Sequence, residues 1–221
     1  MSSLSVALAV LSVLQYGPVT EAGRAVKAEE DRRLAACLDL VQTDPEQAYE
    51  NGLSWLSDGG RPGARHCTAL ALIALGHPGE GAARLEDLAN APDGGDVATR
   101  RSYLGQAGNA WLLAGAPEAA LVALDNALKL GPGNPALRLD RALALVSMER
   151  TAEAISALDR LETDGALTAE GYGLRARAHV ELEQYDAALR DVAVARRTLP
   201  EDIDLLVLRG EIREAQRLSQ R

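Results

Sequence analysis

The sequence predicts an all-α protein built as a solenoid of helical hairpins, and three observations predict it. The first is a period. Ala120, Ala154 and Ala188 stand 34 residues apart, as do Leu124, Leu158 and Val192, and as do Arg141, Arg175 and Arg209, each arginine followed by a small residue (Ala142, Ala176, Gly210). A unit of this length holds two helices that cannot bury their apolar faces alone, so neighbouring units must stack. The second is composition: phenylalanine is absent and the aromatic share is 3%, which suits close helix contacts through alanine and leucine better than a sheet core. The third is spacing, with apolar residues three and four apart and turn residues between the runs.

The chain carries 32 acidic and 23 basic residues, a formal charge of −9. That sign opposes binding to nucleic acid or to anionic lipid. The pairs Arg32-Arg33, Arg100-Arg101 and Arg196-Arg197 are too short to reverse it and read as solvated helix faces.

Residues 1–22 form the first element. Residues 1–20 carry no charge, and Leu4 to Leu14 form an apolar run of signal-peptide length. Thr20 and Ala22 supply small residues for a cleavage after Ala22, although Met1-Ser2-Ser3 lacks the usual basic residue. Gly17-Pro18 stops the run short of the ~20 apolar residues of a stable membrane span. Two readings fit: a removed export signal, placing the protein in the periplasm or outside the cell, or a short hydrophobic helix packed on an array, 23–221, in the cytoplasm.

Glu29 to Arg61 fits the period as a degenerate first unit with Ala36, Asp44-Pro45, Ala48 and Trp55; Pro62 to Gly95 fits with Ala69, Leu72, Gly76, Leu85 and Leu88. The clusters 57–63 and 90–96 read as extended loops between units. Arg101 to Asn134 is a complete unit: Leu104, Ala107, Gly108 and Trp111 form one stripe, Ala120, Leu124 and Ala127 the other, Gly115-Ala116-Pro117 the turn, and Pro132 the stop. Pro135 to Thr168 keeps Ala142, Leu145, Ala154, Leu158 and Leu161, and Ala169 to Asp202 keeps Tyr172, Ala176, Tyr185, Ala188, Val192, Ala195 and Pro200. Residues 203–218 form a single capping helix whose outer face is expected to be charged through Glu211, Arg213, Glu214 and Arg217.

The pattern over residues 29–218 resembles the tetratricopeptide repeat, most closely from Arg101 onward. The signal-like start and two cysteines also resemble the small exported tetratricopeptide proteins of Gram-negative bacteria. The resemblance implies a right-handed α-solenoid of about five hairpins that binds protein or peptide segments on its concave face. It places Asn109, Leu112, Leu113, Leu139, Leu143, Val146 and Arg177 on that face, with Glu170 and Glu181 towards the C-terminus. Some relatives hold a peptide's terminal carboxylate with an asparagine equivalent to Asn109, but Gly105, Asp140, Glu170 and Leu174 stand where the companion basic residues would be. That argues against a carboxylate clamp and for a segment with apolar anchors.

Cys37 and Cys67 fall on first helices that should be neighbours, where they form either a disulfide or two buried thiols that never meet; with His66 they make only three candidate metal ligands, without paired Cys-x-x-Cys spacing. Arg141, Arg175 and Arg209 read as architecture, their stems packed between helices and their guanidinium groups reaching acids or carbonyls, rather than as an anion ladder. His66, His77 and His179 are scattered over different units, with no nucleophile motif and no phosphate-binding loop. The expectation is a non-enzymatic interaction module without cofactor or metal. The alternatives are an assembly component of an envelope complex or self-associating scaffold and, third, a cytoplasmic chaperone.

Overall fold

A computed structural model describes residues 21–59 and 61–221. The apolar run Leu4–Leu14 and the rest of segment 1–20 lie outside the described residues. Among the described residues the chain forms helices only, in the order α1 (Glu21–Thr43), α2 (Pro45–Ser57), α3 (Pro62–Ala74), α4 (Pro78–Asn90), α5 (Val97–Leu113), α6 (Pro117–Leu130), α7 (Pro135–Ser147), α8 (Thr151–Thr163), α9 (Ala169–Glu181), α10 (Tyr185–Thr198) and α11 (Ile203–Ser219). They pair into five hairpins and a final single helix, an α-solenoid.

Each boundary has a local cause. Asn134, Thr168 and Asp202, one period apart, cap α7, α9 and α11 by accepting hydrogen bonds from Leu137, Gly171 and Leu205 backbone N–H groups. Asp96 does the same for α5 through Thr99, so that helix starts at Val97, four residues before the expected Arg101. Inside the hairpins the first helix ends on a left-handed residue, Gly76, Gly115, Glu149 or Glu183. The next residue then donates its N–H five residues back, Ala116 to Trp111 at 2.9 Å and Gln184 to His179 at 2.8 Å, which closes the helix end.

The core follows the period. Ala142 and Ala176 on first helices and Ala120, Ala154 and Ala188 on second helices are fully buried beside Leu124, Leu158 and Val192, with Gly108 one period before Ala142. Gly108 allows a close crossing: a Cβ there would stand 2.5 Å from Leu124 Cγ. Each helix packs on the next in sequence, and α1, α5, α7 and α9 also touch the first helix of the following unit, with no comparable contact between successive second helices. The first helices therefore form the inner layer and the second helices the outer one.

Three details differ from the sequence reading. Helix α1 spans Glu21–Thr43 and so includes residues upstream of Glu29; none of residues 23–36 is buried, and Cys37 is the buried residue among those described. Arg100 is not a solvated helix residue: it donates to the carbonyls of Gly95, Ala89 and Pro92 and closes the loop 91–96. The outer face of α11 is not uniformly charged. Ile203, Leu206 and Val207 are exposed with Glu211, Arg213, Glu214 and Arg217. A Cβ on Gly210 would meet nothing, because no second helix packs on this side among the described residues.

Candidate peptide-binding face

The inner layer presents one strip from each first helix. On α5 it carries Asn109, Leu112 and Leu113, on α7 Leu139, Leu143 and Val146, and on α9 Glu170, Arg177 and Glu181. Leu113 is 72% exposed and Leu143 40%, and Asn109 and Arg177 are exposed as well. Leu112, Leu139 and Val146 are half-buried and lean on the core. Leu139 reaches across to α9, where a Cβ on Gly171 would stand 3.3 Å from its Cδ1. These leucines are thus the floor of the strip, and Leu113 and Leu143 are its projecting groups.

Polar groups on the strip are arranged unlike a carboxylate clamp. Burial pushes the carboxyl of Asp140, on the next first helix, above the usual range, and neighbouring Asn109 opposes the shift. Further along, Glu170, Arg177, Asp202 and Asp204 line a cleft of about 140 Å³ between α9 and α11. The Glu170 carboxyl is held below the usual range by its own backbone amide and by Thr168, against repulsion from Asp202. Glu181 accepts from the Thr151 hydroxyl at 2.5 Å and so belongs to the packing with α8.

Two of the three ladder arginines are architectural, whereas Arg209 makes no side-chain hydrogen bond or ion pair among the described residues. Arg175 is buried, and its Nε and Nη2 donate to both oxygens of buried Asp191 at 2.9 and 2.8 Å. Its Nη1 donates to Asp159 at 2.7 Å and Glu162 at 2.6 Å on α8 of the preceding unit, and Tyr172 stacks under the guanidinium while donating its own hydroxyl to Glu162. The Asp191 carboxylate raises the affinity of Arg175 for its proton above the ordinary value despite burial. Arg141 makes the simpler version, donating to Asp125 of the preceding second helix at 2.6 Å. One side chain thus ties each of these units to the one before it.

At the N-terminal end Cys37 and Cys67 are joined by a disulfide with Cα atoms 5.9 Å apart. The neighbouring His66 is buried, its Nε2 2.7 Å from Gln106 Oε1 and its ring edge-on to Tyr103. Burial lowers its pKa, with Gln106 acting the other way. Trp55 is buried beneath Arg33, and Trp111 packs half-buried on the core. His77 stands exposed in its turn, and His179 Nδ1 lies 2.7 Å from Gln184 Oε1. No group of three or more His, Cys, Asp or Glu among the described residues has a metal-binding arrangement. None of their helices is long and apolar enough to cross a membrane.

A model of the tetratricopeptide repeat family matches residues 112–178. No protein of curated function matches the chain in sequence. Among solved structures it is similar to TTC0263, a thermophilic tetratricopeptide protein of Thermus thermophilus, at 22% identity and a TM-score of 0.58 over 83% of this chain and 98% of that one. It is similar to YrrB, a tetratricopeptide protein with an unusual peptide-binding site, at 15% identity and 0.61 over 87% and 100%. The first tetratricopeptide domain of human RPAP3 gives 20% and 0.51 over 54% and 94%. The chain is an α-solenoid with the fold of tetratricopeptide arrays, its repeat pattern matched by the family over residues 112–178.

Proposed function

We propose that this protein is a non-enzymatic interaction module that holds a protein or peptide segment on the concave face of its first helices. The observation that carries the reading is the projection of Leu113 and Leu143 from the inner layer, where the packing needs of the fold leave them uncovered. A projecting apolar pair over an apolar floor, with charged residues towards the C-terminal end, is what an extended or helical ligand with apolar anchors requires. The likeness in fold to YrrB, itself described by a peptide-binding site, supports it. The disulfide fits an oxidising compartment and hence export, with cleavage after Ala22.

The test is a cross-linking pull-down comparing wild type, Leu143→Glu and Val122→Glu. Val122, 59% exposed on outer-layer helix α6, is the control for an added charge. Leu143→Glu is expected to lose the partner and Val122→Glu to keep it, both with unchanged melting; loss through Val122→Glu alone would overturn the assignment. N-terminal sequencing of protein from fractionated cells tests export, which an intact Met1 in the cytoplasm would refute.

A second reading, an assembly component, is favoured by Ile203, Leu206 and Val207 exposed on α11. Light scattering separates it: association that grows with concentration supports assembly, a monomer at all concentrations the module.

A further inference from the structure

We propose that the occupant of the concave face is a segment bearing a Lys or Arg about four residues from an apolar anchor; this deepens, and rests on, the binding function proposed above. The argument is charge complementarity. Four carboxylates of outer-layer helices are held by arginines, Asp125 by Arg141, and Asp159, Glu162 and Asp191 by Arg175. Five along the C-terminal half of the inner strip are not. Asp140, Glu170, Asp202, Asp204 and Glu211 make no ion pair among the described residues, and Arg177 neutralises none of them by direct contact. Arg213, at the helical angle opposite Asp204 and Glu211, lies on the far side of α11.

This unpaired charge lies beside the apolar end of the strip. Leu143 on α7 and Glu170 on α9 belong to parallel neighbouring helices, about 10 Å apart across the layer. Their places along those helices differ by about seven residues, roughly 10 Å at 1.5 Å per residue. The diagonal is about 14 Å, which an extended chain at about 3.3 Å per residue spans in about four residues. A segment anchored on Leu113 and Leu143 therefore brings its next few residues over Glu170, Asp202 and Asp204, within about one Debye length of the carboxylates at physiological salt. A basic side chain there is attracted and an acidic one repelled, and that difference sets specificity.

The test is selection of random dodecamer peptides displayed on phage against the full chain, followed by fluorescence anisotropy of the selected peptides made synthetically. Selected peptides are expected to carry Lys or Arg three to five residues from a large apolar residue. Exchanging that base for Glu should weaken binding about tenfold at 0.05 M NaCl and less at 0.5 M. The double variant Glu170→Gln/Asp204→Asn should weaken the basic peptide about fivefold and leave its Lys→Ala counterpart unchanged. A consensus without a base, or indifference to the double variant, would overturn the charge proposal and leave the groove standing so long as Leu143→Glu abolishes binding. Failure to select any peptide, or equal binding to Leu143→Glu, would overturn the groove itself and this proposal with it.

Discussion

Replacing Arg175 tests the account of how the units are joined, because its partners differ so much in exposure. Arg175 and Asp191 are each 6% exposed, whereas the side chains of Asp159 and Glu162 are 57% and 45% exposed. In Arg175→Met the exposed acids recover water and should cost no more than about 1 kcal/mol each. Asp191 recovers none: it is left buried, with the His179 imidazole Nε2 3.7 Å away. Removing one member of such a buried pair costs about 3–5 kcal/mol. The reverse change, Asp191→Leu, leaves Arg175 its bonds to Asp159 and Glu162 and should cost only about 1–2 kcal/mol. Combining the two removes the orphaned charge, so the double variant should recover most of the loss. The assay is urea unfolding followed by far-UV circular dichroism on all four proteins, with hydrogen exchange to locate the effect. In a solenoid each unit answers to its neighbours, so lost protection should centre on α8 to α11 and spare α3 and α4. An Arg175→Met cost below about 1 kcal/mol, or a double variant no better than that single one, would refute the reasoning.

Further consequences are as direct. Glu149 and Glu183 hold the left-handed position that Gly115 fills one and two periods earlier, so Glu149→Gly and Glu183→Gly should each stabilise by about 0.5–1 kcal/mol in thermal melts, and Gly115→Glu should destabilise by a similar amount. The Cys37–Cys67 bond joins residues 30 apart, so its reduction should cost about 3.5 kcal/mol on the chain-entropy account, seen in hydrogen exchange as lost protection of α1 and α2 with α5 to α10 unchanged. His66 has a folded pKa below its ordinary 6.5, so between these values the unfolded chain binds more protons. Its contribution is full above pH 6.5 and is lost as pH falls towards the folded pKa. His66→Gln should remove this slope from urea midpoints measured between pH 7 and 5.5, and an unchanged slope would count against it.

The inter-helix contacts were legible because each unit meets the same packing requirement with the same residues, alanine against leucine 34 positions on. Other features left no such trace. None of residues 23–36 of α1 is buried, so they impose no apolar spacing. Glutamate at 149 and 183 gives no sign of a left-handed backbone; only alignment with Gly115 does so. The cluster around Arg175 joins acids 16 residues to either side of it, a signal visible in Asp125 before Arg141 but readable only once first and second helices are known to face each other. For the expected concave face the residue register named a strip, yet it could not separate Leu139 and Val146, which neighbouring helices half cover, from Leu113 and Leu143, which are exposed. The charge imbalance was equally hidden, since the sequence shows carboxylates without showing which of them lack arginines.

The central claim, that the inner layer binds, is tested most directly by placing a photo-cross-linking amino acid at residue 113, 143 or 122 in separate variants and irradiating cells that make them. The account predicts covalent adducts of one defined partner from residues 113 and 143 and none from residue 122. Adducts from 122 with none from 113 or 143 would contradict it.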